Sequence, residues 1–226
     1  SGGIKSKLII SFLKRLCVYI YSSADTLFLS SNGFKAKINQ MGVTKSKFVY
    51  FPQWIETDYI GKIPLASSED NEVKHLIAGT QDKIIFTFTG NIGEAQDFPN
   101  ILRGLKNCRR LKDIIVLVIG DGRYKKELIK RIQAEELDDI VFCLGQYPAR
   151  YMPLFYYYSD YLIVSLKDSP ISSYTLPGKI QSYMSSSRPL IGMINGEARQ
   201  VIEDAGCGFT VASGDHIGFS AMLDQC

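Results

Sequence analysis

The chain has 226 residues, 46% hydrophobic and 22% charged, with a formal net charge of +3. That is enough chain for one large domain, or one domain and part of another, with an ample core. The composition excludes a disordered or low-complexity protein, and the small positive charge is too little for a nucleic-acid binder, which clusters basic residues on one face.

The first segment, "SGGIKSKLIISFLKRLCVYIYSSAD", has the lysines and apolar residues of a signal or a membrane span. Lys14 and Arg15 interrupt it, however, and no run reaches the ~20 apolar residues that a bilayer requires. Partial helical periodicity predicts a helix buried on more than one side. A strand over 26–30 follows, then a helix starting near Ser31 or Asn32 and stopping at Met41 and Gly42, then a strand over 47–51. The polar stretch 56–80, with Pro64 and "SSEDNE", reads as a linker carrying a short helix.

A regular alternation then begins. Strands are expected over 83–89, 114–119, 140–144, 161–165 and 189–193, and helices over 99–107, 124–135, 152–157, 178–185 and 197–205, before "GFTV" closes the series. Short β-branched runs alternating with helices specify an α/β fold: a Rossmann-like parallel sheet with helices on both faces. Sheets of this kind take ligands beyond the carboxyl ends of their strands. The chain opens within one α/β unit and closes during a helix. It is therefore expected to be a piece: 1–57 the remnant of one domain, 58–226 most of a second, truncated at its carboxyl end.

The five cysteines (Cys17, Cys108, Cys143, Cys207 and Cys226) are scattered, and the histidines are only His75 and His216. That pattern supports neither a disulfide framework nor a zinc site and suits a reducing cytoplasm.

The turns after the strands carry the candidate chemistry. The glycines of "GNIG", Gly90 and Gly93, flank Asn91 and either admit a phosphate oxygen to the backbone or merely ease the turn; the spacing matches neither G-x-G-x-x-G nor a P-loop. In "IGDGRYKKEL", Asp121 is expected to cap the next helix. Gln146 and Tyr147 can pair with and stack on a base edge, or belong to an exposed loop. In "SSYTLPGKIQSYM" the hydroxyls of Ser172, Ser173 and Thr175 can donate to phosphate, and Lys179 puts a positive charge at a helix start. Glu197 and Arg199 open a later helix: Arg199 can bind a diphosphate, while Glu197 either caps its own helix or binds hydroxyls.

The series "FTGNIGEAQDFPNILRGL", "VLVIGDGRYKKEL", "VFCLGQYPARYMP", "LPGKIQSYMSSSRPLIG" and "GEARQVIEDAGCGFTV" closely resembles the C-terminal, donor-binding half of retaining group 1 glycosyltransferases of the GT-B fold. The relatives in view are bacterial enzymes of capsule, O-antigen and colanic-acid assembly, including N-acetylfucosaminyltransferase-like members. The resemblance implies two facing Rossmann-like domains, with the nucleotide-sugar, here a UDP-sugar, held by the second. A lipid-linked glycan acceptor would be held by the first, most of which this chain lacks. It places Gly90, Asn91 and Gly93 near the donor phosphates, Gln146 and Tyr147 near the base, and Thr175, Leu176, Pro177, Gln181 and Ser182 against ribose and diphosphate. Lys179 and Arg199 are then the catalytic candidates for neutralising the leaving diphosphate, and Glu197 a donor contact. No cofactor or metal is implied, and no nucleic acid. The full-length parent is expected to be cytoplasmic and peripheral at the inner face of the plasma membrane, and the piece alone is expected to transfer no sugar.

Two departures stand out. The family's paired glutamates fall at Tyr174 and Ser182, and its common Arg and Lys of the first glycine turn at Asn91 and Gln96. These favour an interaction module without catalysis as the competing reading. A nicotinamide-dependent oxidoreductase, the third, predicts a G-x-G-x-x-G turn and an acidic residue closing the second strand, and the first βα unit has neither.

Overall fold

The computed structural model describes residues 6–55 and 82–226. The expected linker with its short helix, and the expected boundary at 57/58, lie outside the described residues. In the first segment, helix α1 (Lys7–Ser23) precedes strand β1 (Thr26–Leu29), helix α2 (Gly33–Gln40) and strand β2 (Lys47–Tyr50), and β1 and β2 pair in parallel. In the second, β3 (Ile84–Thr89), α3 (Phe98–Asn107), β4 (Ile114–Ile119), α4 (Lys125–Ala134), β5 (Val141–Gly145) and α5 (Met152–Tyr158) lead to β6 (Tyr161–Ser165). Helix α6 (Lys179–Met184), β7 (Leu190–Met193), α7 (Gly196–Asp204), β8 (Gly208–Val211) and α8 (His216–Gln225) complete it.

The six later strands form one sheet in the order β5-β4-β3-β6-β7-β8, all parallel. Its two faces follow from the period-2 alternation of strand side chains. Phe86, Phe88, Val116, Val118, Ile163 and Met193 pack under α3, α4 and α8. On the opposite face, Ile85, Leu117 and Ile119 meet Leu154 and Phe155 of α5. Leu162, Val164 and Leu190 meet Ile180 and Tyr183 of α6 and Ile202 of α7. Helix α3 shows why the helices dock: Phe98, Ile101, Leu102 and Leu105 make one apolar stripe at helical spacing, and all four are buried. Each such side chain contributes about 1.5–3 kcal/mol on leaving water. The doubly wound parallel sheet expected from the sequence is thus present, with element ends within a residue or so.

Two local expectations fail. Helix α1 buries no residue; Leu8, Phe12 and Tyr19 are 84%, 65% and 71% exposed. Among the described residues only Val18 and Tyr21 of this helix pack on the small core of Leu29, Ile38 and Val43. Asp121 does not cap α4, whose first turn has no side-chain cap; its Oδ1 accepts the Gly122 N–H at 2.8 Å and lies 3.7 Å from Lys125 Nζ.

The turns after β3, β4 and β5 are laced through backbone. Gly90 N–H donates to the Ile119 carbonyl at 2.9 Å, and Gly120 N–H to the Gly145 carbonyl at 2.7 Å. Gly120 has φ +142°, and a Cβ there would lie 1.9 Å from the Gly90 carbonyl oxygen. Neither backbone can yield, because each is tied to its neighbour. Gly120→Ala is therefore expected to destabilise the chain by about 2 kcal/mol or more in urea unfolding. An alanine variant as stable as wild type would show that the two turns are not locked together.

Candidate functional site

Strand β3 is the first of its sheet and sits inside it: the chain moves out to β4 and β5 on one side, then returns to lay β6, β7 and β8 on the other. The loop after β3 leads to α3 on the Phe88 face, and the loop after β6 leads to α6 on the opposite face. Loops that leave adjacent strands toward opposite faces open a crevice at the carboxyl end, the switch point where parallel sheets bind ligands.

Lys179 reaches into that crevice. Helix α6 is pinned to the end of β3 by the fully buried Tyr183, whose hydroxyl accepts the Thr89 N–H at 2.8 Å and lies 3.2 Å from Thr89 Oγ1. The Tyr156 hydroxyl lies 3.2 Å from the same Oγ1. One turn earlier, Lys179 sends its Nζ to 3.5 Å from the centroid of the Phe88 ring, beside Gly90. The residue as a whole is half-buried, but its ammonium is buried and has no hydrogen-bond partner among the described residues. Loss of water around that charge pushes the ammonium down to about 7. The ring face recovers ~1–2 kcal/mol of the lost hydration, a small part of what burying an unpaired charge costs.

A second orphan ends β6, the strand that pairs with β3 through Phe86–Tyr161 and Thr87–Leu162. Ser165 is buried, and its hydroxyl has no partner among the described residues. No local pattern marks Ser165 or Phe88, since strand residues carry no signal of their chemistry until the sheet order is known.

Beside the crevice, a cleft of about 500 Å³ brings together Gly90, Asn91, Gly120, Asp121, Gln146 and Tyr147. Three turns far apart in sequence meet here, those after β3, β4 and β5. The Tyr147 ring is held edge-on by Phe155 at 5.0 Å and Tyr151 at 6.1 Å.

The other expected site residues are engaged elsewhere. Gly93 N–H donates to Gln96 Oε1 at 3.0 Å, so Gln96 closes its own turn. Thr175 donates its hydroxyl to the Ile171 carbonyl at 2.8 Å, and Leu176 is buried against α6 and its neighbours. The Pro177 carbonyl accepts Ile180 N–H at 3.0 Å. With its amide nitrogen turned to the helix start, Gln181 donates to the Pro177 and Gly178 carbonyls at 3.2 and 2.9 Å. The Ser182 carbonyl accepts the Ser185 hydroxyl at 2.8 Å.

Arg199, expected at a diphosphate, donates instead to Glu203 Oε1 at 2.8 Å, and that oxygen also accepts the Thr210 hydroxyl of β8. The guanidinium is thereby held on the side of α7 nearest the edge strand. Glu197 neither caps α7 nor faces the cleft; its carboxylate accepts the backbone N–H groups of Asn32 and Gly33. No group of three or more His, Cys, Asp or Glu side chains suited to a metal ion occurs among the described residues. Nor is any helix there long and apolar enough to cross a membrane.

A doubly wound, all-parallel α/β sheet with a cleft beyond the carboxyl ends of its strands is the class of domain that the fold defines. The chain belongs to the group 1 glycosyl transferase family, whose model matches residues 68–226. A probable glycosyltransferase of Pseudomonas aeruginosa, WbjE, is 23% identical over 226 residues, covering 98% of this chain and 54% of that protein. A putative colanic acid biosynthesis glycosyl transferase of Escherichia coli K12, WcaI, is 25% identical over 122 residues, 53% of this chain and 29% of that protein. The chain thus spans about half the length of the curated relative that it matches throughout. Among solved structures, Anabaena Alr3699/HepE in complex with UDP superposes with a TM-score of 0.76 at 17% identity, over 94% of this chain and 57% of that one. The same Anabaena protein in complex with UDP-glucose gives 0.75 at 16%. These likenesses carry the fold.

The state of Lys179 sets a pH dependence of stability. Its folded value, about 7, lies below the ordinary 10.5, so between those limits the unfolded chain binds the extra proton and stability rises with pH. The burial penalty is complete below pH 7 and gone near 10.5. Without ligand, Lys179→Met is expected to be more stable than wild type at pH 6 by a few kcal/mol, the gap closing as pH rises to 10. Urea unfolding across that range measures it; a gap independent of pH would place the ammonium in water.

Proposed function

We propose that this chain is the donor-binding part of a glycosyltransferase that takes a UDP-sugar at the β3–β6 crevice. The observation that carries this reading is the buried ammonium of Lys179, which has no counter-charge among the described residues. A diphosphate at the carboxyl end of β3 would supply the counter-charge, with the Gly90 turn approaching its oxygens and the Ser165 hydroxyl free to donate. The adjoining cleft would take the nucleoside, with Gln146 and Tyr147 at the base.

Transfer breaks the bond between the sugar's anomeric carbon and the diphosphate oxygen, and the electron pair leaves with that oxygen. Negative charge therefore grows where Lys179 lies, and a fixed cation in a site of low dielectric offsets it more strongly than water does. In this proposal the neutralisation needs no metal. Arg199, paired with Glu203, takes no part.

The reading extends to the parent protein by its relatives. The name of the Escherichia protein, a putative colanic acid biosynthesis glycosyl transferase, supports a role in polysaccharide assembly. We assign the parent a retaining transfer of a hexosyl or N-acetylhexosaminyl unit onto a lipid-linked glycan, at the cytoplasmic face of the membrane. A module that binds without catalysis is the second reading. It is favoured by Tyr174, whose ring lies against Phe34 where the family has a glutamate, and by Ser182 at the other such place.

Titration calorimetry of the 226-residue chain with UDP, GDP, ADP and NAD tests the donor. UDP is expected to bind tightest; a preference for NAD would overturn the proposal, and no binding at all would leave the interaction module. Lys179→Ala is expected to weaken UDP at least tenfold. Arg199→Ala and Arg131→Ala, the latter breaking an exposed pair with Glu127, should change affinity less than twofold. Above pH 7, UDP affinity should fall by up to tenfold per pH unit, because the ligand selects the protonated lysine.

A further inference from the structure

The amino end of α2 meets the loop that leads to Lys179. The N–H groups of Asn32 and Gly33 donate to the two Glu197 oxygens, at 2.9 Å to Oε1 and 3.1 Å to Oε2. Ser31, fully buried, donates its hydroxyl to the Tyr174 carbonyl, and the Phe34 and Tyr174 rings lie 6.2 Å apart. Gly33 permits this approach: a Cβ there would be 2.9 Å from Tyr174 Cδ1 and 3.3 Å from Glu197 Oε2.

Glu197 is anchored to the same loop from behind. Its neighbour Gly196 has φ +68°, and a Cβ on it would lie 2.2 Å from the Ser173 carbonyl oxygen. The loop between β6 and α6 is thus gripped by α2 on one side and by the start of α7 on the other, and Glu197 joins the two grips. Residues 172–174 form a short helical turn, and α6 begins with Lys179 five positions after Tyr174.

We infer that Glu197 is a positioning residue, a latch that ties the amino end of α2 to the 172–178 loop and so sets where Lys179 reaches. The first N–H groups of a helix have no partner within it, and its dipole favours negative charge there, so a carboxylate fills the position with two charge-assisted hydrogen bonds. Because the latched loop carries the lysine of the crevice, seating of α2 and occupancy of the crevice are coupled. Coupling of this kind is reciprocal: whatever factor the latch adds to ligand affinity, the ligand returns to the latch. The coupling rests on the donor-site reading above; the latch itself does not.

Amide hydrogen exchange read by NMR on the 226-residue chain tests the latch, and UDP titration tests the coupling. Glu197→Ala is expected to speed exchange at Asn32 and Gly33 at least tenfold and to weaken UDP three- to tenfold. Glu197→Gln, which keeps one carbonyl acceptor, should fall between, and Glu203→Ala, two turns along the same helix, should leave both readouts unchanged. In wild type, UDP should slow exchange at the same two amides. Unchanged exchange in both Glu197 variants would overturn the latch. Faster exchange with unchanged UDP affinity would overturn the coupling. Should Glu197→Ala fail to fold, the glutamine variant and the wild-type exchange with and without UDP decide both points. Absence of UDP binding to wild type would sink the donor reading while the exchange without nucleotide still decides the latch.

Discussion

The buried ammonium of Lys179 is the constraint around which this fold is arranged. A charge removed from water without a partner is among the costliest things a protein can hold. Here the surroundings hold it in place: Tyr183 and Thr89 fix the helix, the Phe88 ring lies beneath the charge, and Gly90 leaves no side chain to shield it. Only part of the cost is returned by the ring, so the site without ligand is strained toward losing its proton. Binding sites commonly carry such cost, because a group already satisfied by the protein has little left to offer a ligand.

That arrangement needs the reversal of strand order. Had the chain added strands in one direction only, successive loops would leave on the same face and no crevice would separate β3 from β6. The reversal places the Gly90 turn, the end of β6 and the start of α6 side by side, although they come from residues 90, 165 and 179. The backbone lacing of Gly90 to Ile119 and of Gly120 to Gly145 then makes one rigid floor of three separate turns.

The elements were legible because each is written locally. Strands such as "IIVLVI" are fully buried apolar runs, and α3 carries its stripe at helical spacing. The resemblance implies Gly90 and Asn91 at donor phosphates and Gln146 and Tyr147 at the base; the cleft holds the four side by side. The partners of charged side chains are only partly legible. Arg199 and Glu203 are an ordinary i,i+4 helix pair that spacing alone offers, but spacing does not decide between that pair and a ligand. For α1 the apolar residues suggested burial, but composition says nothing about which surface covers them.

Glu197 shows the harder limit. Its partners lie 165 and 164 positions away, in a segment with its own small sheet, and they are backbone amides, which no side-chain pattern announces. A carboxylate near the start of a helix is ordinarily explained by that helix, and here the explanation lies in another helix's amino end. The same physics, free N–H groups seeking an anion, acts on Glu197 from the amino end of α2 rather than of α7. Where two segments of a chain meet through helix ends, capping becomes a long-range interaction. Its energy then couples the positions of the segments rather than the stability of either helix alone, and Glu197 links the small sheet to the loop that positions Lys179.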